Sequence, residues 1–205
     1  MLSRKLASTI LFTVILCFHA FDPAQSQAAS PDYDYRWEIS LGGGYYVPAR
    51  EGFREYYKSG PEAEITVSYR VSPRLSARLD FFFTRLPEKE VLGDLEFRML
   101  SIVPSIKLIL PKAYEPYFGV GAGYYRGTVY YEGSTVFEPY SKIDEKISKG
   151  GMGLKAYGGL KFSLVGVLFF AAEGRYCHTF LGDPYQGDFG NVGGFSAMGK
   201  LGVSF

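Results

Sequence analysis

Cysteine is nearly absent from this chain: Cys17 and Cys177 are the whole supply. Cys17 falls inside an N-terminal leader pattern, so once the leader is removed no disulfide can form within the chain, even in an oxidising compartment. Histidine is as scarce, with only His19 and His178. One His next to one Cys makes no metal-ligand set, and neither a metal nor a cofactor is expected. Charge of either sign lacks an excess, since 22 Lys and Arg face 21 Asp and Glu. A nucleic-acid partner would require a basic patch, and none is present. Beyond residue 28 no apolar run approaches the roughly 20 residues that a membrane-crossing helix needs.

What is present begins with a leader. Arg4 and Lys5 form a short basic start, and Leu6 to Phe21 is an apolar run broken only by Ser8, Thr9, Thr13 and His19. Ser26 and Ala28 supply the small residues that suit cleavage before Ala29, which gives a signal peptide over residues 1–28 and a mature domain over 29–205. Cys17 follows Leu16 rather than a small residue, so a lipoprotein anchor is not expected. Losing Arg4, Lys5 and Asp22 leaves 20 residues of each sign. The chain is also rich in Tyr (17), Phe (17) and Gly (25). An exported chain of this kind fits a closed β-barrel, because in lipid every backbone polar group has to be bonded internally. A secreted β-sandwich is the rival on composition.

Eight segments alternate with a period of two, the spacing at which strand side chains face opposite sides. The last is the most telling. Phe195, Ala197, Gly199, Leu201, Val203 and Phe205 share one face, while Ser196, Met198, Lys200, Gly202 and Ser204 share the other. An apolar face bounded by aromatics is the pattern of a membrane-barrel strand. The other segments cover about 36–47, 62–71, 74–85, 95–110, 116–130, 151–163 and 167–179. In the fourth, Phe97 and Met99 have one parity and Leu100, Ile102, Ile106 and Leu108 the other. A β-bulge near Met99 and Leu100 would reconcile them, and Pro104 is a weak point because it cannot donate to a ladder.

The connections run long (48–61), short (72–73), medium (86–94), short (111–115), long (131–150), short (164–166) and long (180–192). That is the rhythm of an all-β, eight-stranded, antiparallel up-and-down transmembrane barrel. If the apolar parities face lipid, Glu38, Glu62, Glu64, Arg70, Arg78, Asp80, Lys107, Lys155, Lys161, Glu173, Arg175 and Lys200 face inward. Charges packed inside so narrow a barrel have to pair, so the expectation is an interior filled by ion pairs and Tyr. Gly119, Gly121 and Gly123 on the inward parity would leave room for long side chains. Trp37, Tyr45, Tyr69, Tyr117, Tyr176, Phe195 and Phe205, near segment ends, would form interfacial girdles.

Three stretches carry a likeness: Glu115-Pro-Tyr-Phe-Gly-Val-Gly-Ala-Gly-Tyr-Tyr, Glu173-Gly-Arg-Tyr-Cys-His-Thr-Phe, and the strand ending at Phe205. Through them the chain resembles the small outer-membrane β-barrel family of Gram-negative bacteria, which includes the OmpA transmembrane domain and the OmpX-like and OmpW-like proteins. The resemblance implies an outer-membrane location, contact with outer-membrane lipids and lipopolysaccharide, and a terminal signal for the barrel-assembly machinery at Phe205, Val203 and Leu201. It leaves function open between a structural or surface-interaction role carried by the loops, passage of small apolar solutes, and lipid A modification. Barrels that resemble lipid A deacylases carry a Ser two positions after the His. Phe180 stands there instead, and Thr179 points to the other face from His178. No enzyme is expected. Oligomeric state is open.

Overall fold

The alternating segments pair into a closed sheet. A computed structural model describes residues 36–88, 94–110, 114–133, 143–181 and 191–205. The expected signal peptide, the lead-in before Arg36 and parts of four connections lie outside the described residues. Eight strands follow one another in chain order around a closed barrel, every neighbour antiparallel: β1 (Trp37–Pro48), β2 (Gly60–Ser72), β3 (Leu75–Pro87), β4 (Asp94–Ile109), β5 (Glu115–Gly133), β6 (Ile143–Ser163), β7 (Leu168–Phe180) and β8 (Asn191–Ser204). The seam joins β1 to β8, with Leu41 opposite Leu201 and Tyr46 opposite Ser196. Closure satisfies the backbone groups that an open sheet leaves bare at its edges.

Alternation sorts the side chains. Leu41, Val120 and Leu201 point outward and are 62–63% exposed, while Glu64, Asp80, Lys155 and Arg175 point inward and are buried. A soluble domain does the reverse, and an apolar surface that circles a molecule is stable only against an apolar medium. Aromatics mark both rims of this band. Trp37 and Tyr69 pack with tilted rings at the end with the short turns (centroids 4.9 Å), and Tyr176 and Phe195 do so at the end with the long connections (4.9 Å).

Three expectations need correction. There is no bulge near Met99 and Leu100, because β4 pairs with β3 in unbroken register from Leu75↔Leu108 to Pro87↔Glu96. Phe97, Met99 and Val103 are buried inside while Leu100, Ile102 and Ile106 are exposed outside, so this stretch is apolar on both faces. The register does shift in β2, between Arg70 and Ser72, beside the tight turn. Pro104 remains in β4 opposite Leu79, and the β4–β5 pairing skips from Ile102↔Tyr124 to Ser105↔Gly121 around it.

Tyr117 belongs to no girdle. It shares inward parity with Gly119, is 7% exposed, and donates its hydroxyl to Glu173 Oε2 at 2.9 Å. The connection assigned to 131–150 is shorter, because β5 and β6 continue as a ribbon up to Gly133↔Ile143. The 48–61 connection is a connection as expected, and it carries a short helix, α1 (Glu51–Tyr56), and an isolated bridge between Tyr57 and Glu88.

Two glycines have physical reasons. At Gly119 an added Cβ would collide with both Ile106 O and the Tyr157 ring, so the absent side chain gives Tyr157 its place. Gly166 has φ +57°, a left-handed value that glycine adopts without Cβ strain. It closes the β6–β7 turn together with the Leu164 N–H to Leu168 O bond of 2.9 Å.

Candidate functional site

The barrel interior is stacked in three layers. Nearest the short turns lies an ionic layer of five side chains. Both carboxylate oxygens of Glu38 are occupied: Lys107 Nζ donates to Oε2 at 2.8 Å, and Lys161 Nζ to Oε1 at 2.6 Å. Arg70 reaches Glu38 at 3.5 Å and Glu115 at 2.9 Å, and Lys161 lies 3.3 Å from Glu115.

The middle layer is denser. Arg78 Nη2 is 2.7 Å from Glu64, its Nε 2.5 Å from Asp80 and its Nη1 2.6 Å from Glu173. Lys200 lies 2.9 Å from both Glu64 and Glu173. Arg175 holds Glu62 at 2.5 Å and Glu64 at 2.6 Å, and Lys155 donates to Asp80. Thr66 adds hydrogen bonds to Glu64 and Asp80. In a closed order of eight, β3 and β7 stand on opposite walls, so the Arg78–Glu173 pair crosses the full lumen. Charges in such surroundings are tolerated only when each is paired and hydrogen-bonded.

The third layer, toward the long connections, is apolar. Tyr46, Phe82, Leu86, Phe97, Met99, Tyr125, Cys177 and Val192 form one buried cluster, covered by Phe53 and Tyr57 from α1 and its end. Phe53 meets the Phe97 ring edge-on at 5.0 Å and lies 4.6 Å from the tilted Tyr57 ring. Burial pushes the Tyr57 phenol up to about 12, and the Glu88 carboxylate adds to the shift. Arg175 stacks over Phe82 at 4.3 Å and so joins the ionic layer to the apolar one.

All the inward charges named from the sequence fall in the two ionic layers. The sequence reasoning missed Glu115, which it gave to a turn. Its parity with Tyr117 and Gly119 is the signal that could have placed it inside. The apolar third layer was also missed. At the other surface, Leu201 and Phe205 are exposed outward and Val203 is partly covered. His178 also faces outward, edge-on to Phe180 at 4.8 Å, whereas Thr179 is buried and donates to Val192 O at 2.7 Å.

Solved structures with the same architecture exist. Neisserial surface protein A is 19% identical, with 82% of this chain and 97% of that chain covered and a TM-score of 0.59. A major outer membrane protein from Thermus thermophilus is 14% identical (84% and 100% covered, TM-score 0.56). Ail, the attachment invasion locus protein of Yersinia pestis, is 18% identical (83% and 99% covered, TM-score 0.54). The chain has the fold of the small outer-membrane β-barrels. At these identities the likeness is one of fold. No protein-family model matches the chain, and no curated protein matches it. The barrel's own interior and mouth therefore carry the functional argument.

Proposed function

We propose that the chain is an integral outer-membrane barrel with a structural or surface-interaction role, closed to solutes and exposing its long connections outside the cell. The observation that carries this reading is the Arg78–Glu173 pair across the lumen, with the apolar layer and α1 above it. A hydrated path would have to break paired buried charges and lift packed aromatics. The outward apolar band supports contact with outer-membrane lipids and lipopolysaccharide. The outward placement of Leu201 and Phe205 suits recognition by the barrel-assembly machinery. His178 is given no catalytic part, because the adjacent hydroxyl of Thr179 faces the interior.

Reconstitution in planar bilayers tests the proposal. The expected outcome is a flat current trace at protein densities where an open barrel gives unitary steps. Reproducible single-channel steps, or protein-dependent uptake of a small apolar solute into vesicles, would replace this reading with one of transport.

A further inference from the structure

The two ionic layers differ in their charge balance. The middle layer is neutral, with Arg78, Lys155, Arg175 and Lys200 against Glu62, Glu64, Asp80 and Glu173. Among the described residues the layer near the turns has three cations, Arg70, Lys107 and Lys161, and two carboxylates, Glu38 and Glu115. One positive charge is left over, in a part of the barrel where Lys107 and Lys161 are 6% and 8% exposed. Glu38 cannot absorb it, since both its oxygens already accept from a lysine.

A cavity of about 20 Å³ lies between these two layers. Four cations line it (Arg78, Lys107, Lys161 and Lys200) and a single carboxylate, Glu38. Ser40 and Ser68 bring hydroxyls to its wall and Tyr117 a phenol ring. The volume suits one particle of roughly the size of a water molecule. A neutral water would fill the space and leave the surplus charge buried and unmatched, which is costly.

We propose that this cavity binds one small monovalent anion of the halide class, with chloride as the abundant member. The ion neutralises the layer near the turns, accepts from the ammonium groups of Lys107 and Lys161, and takes hydrogen bonds from Ser40 and Ser68. It is a structural ion seated among the inward side chains near the short turns, and it does not depend on the lumen conducting or on its being shut.

The test uses the barrel purified from membranes in detergent, with thermal unfolding followed at constant ionic strength. Chloride replaces gluconate, which is too large for the cavity. At ten times its dissociation constant, chloride is expected to raise the melting temperature by about 3 to 6 °C, saturating as one site. Crystals grown in bromide are expected to show one anomalous peak between Lys107 and Lys161. Two variants remove the surplus in opposite ways: Lys107→Met deletes a cation, and Ser40→Asp supplies the missing negative charge. Each is expected to flatten the chloride dependence, so a folding failure of one leaves the other to decide. The proposal is overturned if the melting temperature is the same in chloride and gluconate. It is equally overturned if bromide is absent from the cavity, or if a folded variant keeps the full chloride response.

Discussion

Arg78 contacts three carboxylates on three different strands, and its side chain is almost wholly buried. Truncation strands Glu64, Asp80 and Glu173 together in a poorly solvated space. Arg78→Ala is therefore expected to destabilise the barrel by roughly 3–5 kcal/mol, read from urea unfolding in lipid vesicles. Arg78→Lys should restore only part of the loss, since an ammonium cannot offer the planar fork that meets both Glu173 oxygens. Equal stability of wild type and Arg78→Ala would remove the central place given to this network. The charge was legible in the sequence through parity alone. Tyr117 was misplaced because an aromatic near a strand end reads as interfacial. Its position two residues before Gly119, on the side that faces inward, carries more information than its residue type.

Strand cores were readable because their two faces meet different media, and alternation is the imprint of that difference. Where both faces meet the same medium the imprint fades. The upper part of β4 is apolar on both sides, lipid outside and the Phe97 cluster within, and so it mimics a bulge. The β5–β6 ribbon near Gly133 and Ile143 has a different problem. There β6 pairs with β5 alone, ahead of its first partner in β7 at Gly153↔Thr179, and its sequence reads as a loop. Helix α1 is too short for periodicity to show, and packing on Phe97 is what holds it. Its anchor gives a pH prediction. With the Tyr57 phenol raised above its usual 10.0 to about 12, the folded state keeps its full stability below pH 10 and loses a portion as pH rises toward 12. An ultraviolet difference titration of wild type against Tyr57→Phe should show one tyrosine ionising near pH 12. A difference transition at pH 10 would mean that α1 does not cover the ring.

At the scale of the molecule the alternation of connection lengths, more than any single motif, made the topology legible. Long and short returns can recur so regularly only if each strand runs the length of a common wall. That wall is expected to behave asymmetrically. Leu201→Arg, in the middle of the outward band, should cost roughly 2–4 kcal/mol in a bilayer, and the same change near the rim far less. Unfolding titrations in vesicles read the difference. Position-independent costs would argue against a hydrocarbon surround. The internal layering was harder to foresee, because parity tells which side chains enter the barrel but not at what height they meet.

The seam has a temporal consequence. Trp37 and Phe205 exchange both backbone hydrogen bonds, at 2.8 and 2.9 Å, and β1 has no other partner on that side. During synthesis the first strand is made long before its mate, so a nascent ribbon carries an open, sticky border until the eighth strand arrives. Premature zippering to a neighbouring copy is the hazard that any escort of this polypeptide has to prevent.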